Sequence, residues 1–393
     1  MRVLCVSSYY KPAYVYGGPT RCISALCEGI AQQGARVTVY TTNANGKNLL
    51  DIPTNQAILL NGVQVHYYPI SYILPRRYFY SKMLGHACRA NIDSFDVIHV
   101  IGNWVFPVVA AAYPSIRQKV PFIISPHGSF MEWSFRQKEF KKRLYLEIVE
   151  RHLINRAAAI HCTSQMEADQ TIKFGFRSSI SVIPNVISPF DQNYNLTRGT
   201  VRKRLGIPQD DPVTIYVGRF HKMKRVDRVI DIFSHVQQEI PNAHLLLAGA
   251  DEDGAGIQAQ QLVHDLNLES RVHFTGLLQD DDLAHAYLDS DLLVLFSHRE
   301  NFGMVVTEAL SMGVPVLLSE YVGIAREVAD GEAGLIVDVD SEDAAKKWEW
   351  LLKTPEKRKE MAQAGINLTK TLYSPENVSK EMIKLFERVI ADN

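Results

Sequence analysis

Short apolar runs alternate with segments of helical periodicity along almost the whole chain, and this alternation constrains the fold more than any other feature. The runs that we interpret as strands are Val3–Ser7, Arg36–Thr41, Val63–Tyr68, Val97–Ile101, Phe122–Ser125, Ala158–Cys162, Ser181–Ile183, Val213–Val217, Ala243–Ala248, Val272–Phe274, Leu292–Phe296 and Val314–Leu318. Amphipathic segments such as Thr20–Gln33, Ser81–Ile92 and Phe140–Asn155 separate several of them. Strands that are apolar on both faces and joined through helices form parallel sheets covered by helices. The sequence therefore predicts an α/β fold.

The alternation breaks at about Pro189–Gly199, where the chain is polar and contains a proline. A chain of 393 residues, at about 150 residues per domain, suggests two domains. We predict one Rossmann-like domain over residues 1–188 and a second over 199–374, with parallel sheets facing across a cleft. After about Ser341 the chain is helical, with faces rich in Lys and Glu.

The composition indicates an ordinary soluble protein, with 46% hydrophobic and 22% charged residues. The formal net charge of −1 gives no global reason to expect nucleic-acid binding. The five cysteines are odd in number and show no CxxC or Cys/His spacing, which argues against a disulfide framework or a zinc site and favours a reducing compartment.

Two segments bear on membranes and targeting. The apolar region of Met1–Ser8 is shorter than that of a signal peptide, and we interpret this segment as the first strand. Residues 97–116 carry no charge and are long enough to cross a bilayer, but they contain Asn103 and Pro107 and divide into a strand and an Ala-rich helix. We therefore expect a cytoplasmic protein without a transmembrane span, with peripheral contact at the inner face of the membrane as an alternative that the sequence leaves open.

Ligands of open parallel sheets bind beyond the carboxyl ends of the strands, and the second predicted domain has unusual residues there. After Leu292–Phe296 comes a loop with Glu300 and Gly303, and a short helix then carries Glu308. A glycine at a helix start lets an anion approach backbone amides, and carboxylates accept hydrogen bonds from vicinal hydroxyls. This loop can therefore bind a phosphate with a sugar on either side.

A second loop of the same predicted domain supplies positive charge. Arg219 follows the strand Val213–Val217, and Lys224 lies near the start of the next helix. Two cations there can neutralise a diphosphate, with about 1.5–3 kcal/mol from each charge-assisted hydrogen bond. They would also stabilise the charge that develops on a departing diphosphate.

Two motifs of the first predicted domain lie at equivalent places. Gly17 and Gly18 precede the first helix, where bare amides can contact phosphate or sugar oxygens. His127 follows the strand Phe122–Ser125 and brings an imidazole to the edge of the expected cleft.

Together these motifs resemble the retaining glycosyltransferases of family 4, which have the GT-B fold. The resemblance covers nearly the whole chain and rests on Glu300 and Glu308 with Gly303 between them, and on an ordered set of further motifs: Gly17-Gly18, Pro126-His127-Gly128, Ile183-Pro184-Asn185, Gly218-Arg219 with Lys224, and Phe274-Thr275-Gly276. Each motif alone is weak, but the ordered set is specific. The opening from Tyr9 to Pro19 looks like the branch that assembles bacterial surface polysaccharides.

The resemblance implies a hexosyltransferase that moves a sugar from a UDP- or GDP-linked donor to a glycan or lipid-linked glycan acceptor. It implies no cofactor and no metal. We also expect a C-terminal helix at about 375–393 to pack back onto the first domain. Asp251-Glu252-Asp253 has the spacing of a metal motif but lies in a loop of the second domain, and we interpret it as solvated.

The resemblance also assigns roles to single residues. Glu300 would hold donor-sugar hydroxyls, Glu308 the ribose, and Arg219 with Lys224 the diphosphate. His127 would face the donor sugar and the acceptor. The remaining donor-binding residues would be Gly17, Gly18, Asn185, Thr275, Gly276, Leu277, Phe302, Gly303 and Met304.

The sequence departs from the family pattern at two turns. The usual Asn-Gly-Val is Asn185-Val186-Ile187, and the usual Lys-Gly is Lys224-Arg225. Neither departure removes a functional side chain. For the chemistry we expect the bond between sugar and diphosphate to weaken first and the acceptor to attack from the same face, because no residue stands out as the nucleophile of a covalent route.

Each motif also has a purely structural interpretation. Glu308 could be a helical residue in a capping contact, and Arg219 and Lys224 could form surface ion pairs with Asp227 or Asp231. Gly17-Gly18 could be only a turn, and His127 a satisfied buried histidine. We interpret His161, His244 and His273 as structural, since they lie within strand patterns.

The segment Phe135–Arg156 is basic and amphipathic, with Phe140, Leu144, Ile148 and Val149 opposite its cations. It could dock on an anionic membrane, where a lipid-linked acceptor would reside. The alternative that we favour from the sequence is a core helix that buries this apolar face.

Other functions fit less well. No Gly-x-Gly-x-x-Gly follows a strand, as a dehydrogenase requires, and Gly46-Lys47 lacks the leading glycine of a P-loop. A GT-B nucleotide-sugar epimerase, a pyridoxal-phosphate phosphorylase and a non-catalytic sugar-nucleotide-binding subunit remain as alternatives.

Overall fold

The computed structural model describes residues 1–187 and 196–393. The described chain divides into two compact units, one of residues 1–187 with 374–393 and the other of residues 196–373. Each unit is built on its own open sheet. The predicted linker falls largely on residues 188–195, outside the described part.

The first unit contains an eight-stranded sheet in the order β10-β9-β8-β7-β1-β2-β6-β5. Its strands pair in parallel except for β5, which pairs antiparallel to β6. The strands β3 and β4 follow β2 in the sequence and pair antiparallel in a separate two-stranded ribbon. The strands are β1 (Arg2–Val6), β2 (Arg36–Thr42), β3 (Ala44–Asn45), β4 (Asn48–Leu49), β5 (Ala57–Leu60), β6 (Val63–Tyr68), β7 (Val97–Ile101), β8 (Phe122–Ser125), β9 (Ala159–Cys162) and β10 (Ser179–Val182).

Helices cover both faces of this sheet and form two apolar clusters, as strands buried on both faces require. They are α1 (Gly18–Gln32), α2 (Lys82–Asn91), α3 (Phe106–Gln118), α4 (Glu132–Arg136), α5 (Glu139–Tyr145), α6 (Arg151–Ile154) and α7 (Gln165–Ile172). A π-helical turn, Leu146–Glu150, joins α5 to α6. Every residue of β7 is buried, and α3 begins five residues later with Pro107 in its first turn. The uncharged stretch 97–116 is thus a strand and a helix, as predicted.

The second unit contains a six-stranded, wholly parallel sheet in the order β13-β12-β11-β14-β15-β16. Its strands are β11 (Val213–Val217), β12 (His244–Ala248), β13 (Val272–Gly276), β14 (Leu292–Leu295), β15 (Val316–Ser319) and β16 (Gly334–Val337). Its helices are α8 (Thr200–Leu205), α9 (Val226–Glu239), α10 (Ala255–Asp265), α11 (Asp280–Leu288), α12 (Met304–Ser311), α13 (Ala325–Asp330), α14 (Asp343–Lys353) and α15 (Pro355–Leu368), followed by a π-helical turn at Thr369–Tyr373. Because β11 and β14 are neighbours, the loops that follow them start side by side.

The last helix, α16 (Pro375–Ala391), belongs to the first unit. Ser374 caps it by accepting a hydrogen bond from the amide of Asn377. It packs on α1 so closely that a Cβ at Gly29 would lie 2.2 Å from the Ser379 hydroxyl. The C-terminal segment thus extends the apolar cluster of the first unit with Met382 and Phe386.

The sequence prediction missed the strands Ala57–Leu60 and Gly334–Val337 and the short ribbon. Both missed strands lie at sheet edges, where one side of the strand has no partner strand to bury it. Only Gly334 and Val337 are buried in β16, and no residue of β5 is. Both runs are nonetheless apolar, Ala-Ile-Leu-Leu and Gly-Leu-Ile-Val, and the edge strands β10 and β13 were predicted, so position at an edge alone does not explain the two omissions.

The interpretation of 135–156 as one helix that buries Phe140, Leu144 and Ile148 is wrong. The helical segment is interrupted at Gln137 and Lys138, and these three side chains are exposed. The face that packs inward instead carries Leu146, Glu150 and Leu153. Among the described residues, no helix is both long and apolar enough to span a bilayer.

Candidate active site

Three loops at the carboxyl ends of strands in the second unit are joined by backbone hydrogen bonds. In the loop after β14, the amide of His298 donates to the carbonyl of Met223 at 3.0 Å, which ties it to the loop after β11. The amide of Glu300 donates to the carbonyl of Tyr321 at 3.0 Å, and the amide of Gly323 donates to the carbonyl of Glu300 at 2.8 Å. The backbone at Glu300 is therefore fixed from both sides.

This arrangement brings Lys224 and Glu300 into direct contact. The Lys224 ammonium donates to Oε2 of Glu300, and the two side chains are 20% and 21% exposed. The ammonium has further donors and the carboxylate a second oxygen, so both groups can bind a ligand without first separating. The two residues that the sequence assigned to diphosphate and sugar thus lie together.

Arg219 lies in the same loop as Lys224 but has a different partner. Its guanidinium donates to both oxygens of Glu252 at 2.7 Å, with side-chain exposures of 66% and 45%. An exposed pair of this kind contributes roughly 0–1 kcal/mol, so an anionic ligand can displace it at little cost. The predicted alternative partners are wrong, because Asp227 pairs with Arg225 and Asp231 with Arg228.

The segment Asp251-Glu252-Asp253 is exposed, as expected, but it is not merely solvated. Glu252 binds Arg219, and Asp253 lies 3.7 Å from the His221 ring. Asp251 accepts a hydrogen bond from the amide of Gly254. Among residues 1–187 and 196–393, no group of three or more His, Cys, Asp or Glu residues has the arrangement of a metal site.

Gly303 begins α12 in a left-handed conformation, with φ of 103°. A Cβ at this position would lie 3.0 Å from Cγ1 of Val322, so glycine is required for both conformation and space. The first amides of α12, at Met304 and Val305, follow this turn, where a helix presents bare N–H groups. Phe302 is buried next to them and packs edge-on against Tyr373.

Glu308 lies one turn into α12 and is half-buried. Its carboxylate accepts a hydrogen bond from the Tyr287 hydroxyl at 3.0 Å. Burial, reinforced by the Glu308 charge, raises the pKa of Tyr287 well above its ordinary value, so the hydroxyl remains a donor. This contact orients the carboxylate and is not the helix cap that the structural interpretation suggested.

The end of β13 carries Thr275, Gly276 and Leu277. Gly276 has φ of 71°, and Leu277 is 61% exposed beyond the sheet edge. The neighbouring strand end is crowded, since a Cβ at Gly249 would lie 1.9 Å from the carbonyl oxygen of Gly218. Gly249 was not among the predicted site residues, although a glycine that directly ends an apolar strand indicates such a close approach.

The turn after Lys224 has a left-handed backbone although glycine is absent. Arg225 occupies the glycine position with φ of 51°. Its guanidinium contacts the ring of His298 and pairs with Asp227 at 3.2 Å. These contacts hold an arginine in a conformation that ordinarily favours glycine.

In the first unit, Gly17 and Gly18 form the start of α1. Gly17 has φ of 73° and caps the helix, with no atom near its missing Cβ, so only its conformation requires glycine. Beside this turn, the rings of Tyr9 and Tyr16 stack with centroids 4.2 Å apart. The Gly-Gly turn is therefore largely exposed, and a stacked pair of tyrosines lies next to it.

His127 follows β8 in a left-handed conformation, with φ of 45°. The adjacent Gly128 donates its amide to the buried carboxylate of Glu167. The other oxygen of Glu167 accepts from the amide and the hydroxyl of Thr163, at 2.7 and 2.8 Å. Glu167 thus fixes the His127 loop, and sequence reasoning missed it; the signal was the capping-box spacing from Ser164 to Glu167.

A chain of buried hydrogen bonds runs beneath this loop. Nε2 of His161 lies 2.8 Å from the carbonyl of Ile183, which makes it a donor, so its Nδ1 accepts from the Ser125 hydroxyl at 2.7 Å. The Ser125 oxygen then accepts from Nε2 of His99 at 2.7 Å. Burial lowers the pKa of His161 to about 4, so the chain is neutral at pH 7.

His127 and Asn185 line one small recess together with Cys22 and His161. Both site residues are half-buried, and burial lowers the pKa of His127 to about 4, which leaves its imidazole neutral near pH 7. The turn after Asn185 lacks glycine, and Val186 is buried there instead. The structure thus brings together two first-unit residues that the sequence assigned to one site.

Comparison with known proteins identifies the family of the chain. Residues 197–368 match the family described as "Glycosyl transferases group 1", and residues 16–190 match "Glycosyltransferase Family 4". An N-acetyl-alpha-D-glucosaminyl L-malate synthase of Bacillus anthracis is 26% identical over 80% of this chain and 79% of its own length.

Solved structures share the fold over the whole chain. A sucrose-phosphate synthase of Thermosynechococcus elongatus superposes with a TM-score of 0.75 at 20% identity, covering 100% of both chains. Anabaena HepE in complex with UDP-glucose superposes with a TM-score of 0.74 at 21% identity, covering 99% of this chain and 100% of that one.

The fold and the matched families define a glycosyltransferase with the GT-B fold, an enzyme of the EC 2.4 class. The chain belongs to the family 4 glycosyltransferases.

Proposed function

We propose that this enzyme transfers a hexose from a nucleoside-diphosphate sugar to a hydroxyl acceptor with retention of anomeric configuration. The observation that carries the proposal is the Lys224–Glu300 contact, where a cation and a sugar-binding carboxylate meet beside the start of α12. The cation can bind a diphosphate, and the carboxylate can accept hydrogen bonds from sugar hydroxyls. The start of a helix favours an anion such as the diphosphate.

Each part of the donor then has a partner. Lys224 and Arg219 bind the diphosphate with the amides around Phe302, Gly303 and Met304, and Glu300 binds hydroxyls of the sugar. The ribose hydroxyls bind Glu308, because a carboxylate accepts hydrogen bonds from vicinal hydroxyls. The base lies against Thr275, Gly276 and Leu277. The HepE complex contains UDP-glucose, which makes a UDP-linked donor our first choice and a GDP-linked donor the second.

We assign Gly17, Gly18, His127 and Asn185 to the sugar and acceptor side of the reaction. A neutral imidazole can both donate and accept a hydrogen bond, which suits a contact with sugar hydroxyls. The strained loop that holds His127 is fixed by Glu167, so the imidazole position is set before substrate arrives.

The reaction proceeds by departure of the diphosphate. The bond between the anomeric carbon and the diphosphate oxygen breaks first, and Lys224 and Arg219 stabilise the negative charge that develops on the leaving group. The acceptor oxygen bonds to the anomeric carbon on the same face and passes its proton to the departing phosphate oxygen. The products are the glycoside and the nucleoside diphosphate, and no metal is needed because the two cations neutralise the leaving group.

We place the acceptor among the glycans or lipid-linked glycans of surface polysaccharide assembly. The opening of the sequence supports this, since it looks like that branch of the family. The names of the relatives do not fix an acceptor, because they range from malate to sucrose phosphate synthesis.

A panel of sugar nucleotides, each incubated with purified protein, tests the proposal. Slow release of nucleoside diphosphate from one donor, and proton NMR of the glycoside formed with a glycan acceptor, would show the transfer and its stereochemistry. A product with inverted configuration would contradict retention. An altered sugar nucleotide formed without acceptor would identify an epimerase, and tight donor binding without turnover would identify a non-catalytic subunit.

A further inference from the structure

The helical segment from Glu139 to Ile154 carries apolar side chains on the side that faces solvent. Phe140, Leu144 and Ile148 are 80%, 51% and 70% exposed and lie four residues apart, so they form one stripe along the helix. The opposite side already buries Leu146 and Leu153 in the first unit. The helix is therefore apolar on two sides, and the core uses only one of them.

Positive charge borders this stripe. Residues 132–156 contain seven cations, Arg136, Lys138, Lys141, Lys142, Arg143, Arg151 and Arg156, and four carboxylates, Glu132, Glu139, Glu147 and Glu150. Glu150 is buried, and the other three carboxylates each pair with an arginine. The exposed surface of the segment is therefore clearly positive, with Lys138 and Lys141 next to Phe140.

A second element with the same character lies beside the helix. The amide of Ser71 donates to the carbonyl of Tyr80 at 2.7 Å and closes a loop, in which Tyr72, Ile73 and Leu74 are 63%, 84% and 40% exposed. The loop also contains Arg76 and Arg77, and no carboxylate occurs anywhere between residues 52 and 92.

One contact joins the loop to the helix. The hydroxyls of Tyr78 and Tyr145 lie 3.1 Å apart, and their rings meet edge to face. We call Tyr72, Ile73, Leu74, Arg76, Arg77, Lys138, Phe140, Lys141, Leu144 and Ile148 the apolar–basic surface.

We propose that the apolar–basic surface docks the enzyme on an anionic lipid bilayer. Exposed apolar side chains at this density mark an interaction site, and a water-soluble partner would not require the surplus of lysine and arginine on both elements. A bilayer with anionic headgroups satisfies both features, since the apolar tips enter the acyl boundary while the cations contact phosphates. Docking there would bring the enzyme to lipid-linked acceptors, and only that last consequence rests on the proposed function.

Sedimentation with vesicles tests the proposal directly. The full-length protein should pellet with vesicles of phosphatidylglycerol and phosphatidylcholine in equal parts, and binding should weaken with added salt and with phosphatidylcholine alone. The double variant Phe140→Ser/Ile148→Ser should bind at least about tenfold more weakly. Lys138→Gln/Lys141→Gln should weaken binding chiefly at low salt.

Ile257→Ser is the matched control, because Ile257 is 70% exposed, like Ile148, but lies on α10 of the second unit. It should bind vesicles like the unchanged protein. Since all the replaced side chains are exposed, every variant should keep its thermal unfolding midpoint and its slow hydrolysis of soluble donor. That hydrolysis assay tests the proposed function separately from vesicle binding.

Three outcomes would overturn membrane docking. The unchanged protein could fail to pellet with anionic vesicles, or the Phe140/Ile148 variant could bind as well as the Ile257 control. Alternatively, the protein could form dimers that the Phe140/Ile148 variant lacks, without binding vesicles, which would assign the surface to a second copy of the chain.

Discussion

The ammonium of Lys224 and the carboxylate of Glu300 form an ion pair across 76 residues of sequence. The pair arises because β11 and β14 are neighbours in the sheet and their following loops exchange a backbone hydrogen bond. The cation that we propose for the leaving diphosphate and the carboxylate that we propose for the sugar are therefore positioned before any donor binds. Such preorganisation lets both groups act without a reorganisation cost during the reaction.

The first prediction concerns Glu300. Glu300→Gln should lower kcat/KM for the donor by about 10²-fold or more, because the amide is a weaker acceptor for sugar hydroxyls and no longer orients Lys224. Steady-state kinetics of donor hydrolysis and transfer measure this. Glu252→Gln is the matched control, since Glu252 also pairs with a site cation but in an exposed contact, and its effect should stay within about threefold. Equal losses in both variants would contradict the assignment of Glu300 to the sugar.

The second prediction concerns Glu167, which we regard as a positioning residue for His127. Glu167→Gln keeps the shape but replaces one acceptor oxygen with a donor, so one of the contacts with Gly128 and Thr163 is lost. We expect kcat to fall about tenfold or more while the donor KM changes little, as in His127→Ala. If Glu167→Gln lowers activity in a background that already lacks His127, Glu167 acts by another route and the positioning role is wrong.

The third prediction is a pH dependence of stability at Glu150. Its buried carboxylate accepts from the amides of Trp104 and Asn103, yet burial raises the pKa of Glu150 to about 7. The unfolded chain releases this proton at lower pH than the folded one, so the ionised form destabilises the fold increasingly from about pH 4.5 to 7. The effect reaches about 3 kcal/mol at most above pH 7, at 1.36 kcal/mol per pH unit.

Glu150→Gln removes this titration while keeping an acceptor for the Trp104 amide. Urea unfolding should show the variant to be more stable than the unchanged protein at about pH 8 and close to it at about pH 5. A stability difference that is the same at both pH values would show that Glu150 is ionised in the folded protein throughout this range.

The fourth prediction concerns metal ions. Because Arg219 and Lys224 are proposed to neutralise the diphosphate, EDTA should leave donor hydrolysis and transfer unchanged within about twofold, and added Mg²⁺ or Mn²⁺ should not restore activity to Lys224→Ala. An enzyme that loses turnover in EDTA and regains it with one of these ions would contradict the metal-independent mechanism.

Much of this architecture could be predicted from sequence because buried parallel strands are apolar on both faces. That signal located all strands of the two sheets except β5 and β16, although the partly buried edge strands β10 and β13 were found. The strand ends in turn located Glu300, Gly303 and His127. The contact between Lys224 and Glu300 could not be derived this way, since a sequence pattern gives strands but not the order in which they pair.

Periodicity also failed in an informative way at the helix from Glu139 to Ile154. It correctly placed Phe140, Leu144 and Ile148 on one side, but it could not tell which of two apolar sides packs inward. Periodicity likewise could not predict contacts between distant loops, such as the ion pair of Arg219 with Glu252. These features depend on tertiary packing, which local spacing does not encode.

The turnover of Lys224→Ala at saturating donor tests the central claim most directly. If Lys224 stabilises charge on the departing diphosphate, kcat should fall by about 10²–10³-fold while the dissociation constant for the nucleoside diphosphate rises by less than about tenfold. Calorimetric titration of the same variant supplies that constant. A variant that turns over normally once saturated, with only its donor affinity reduced, would contradict the claim.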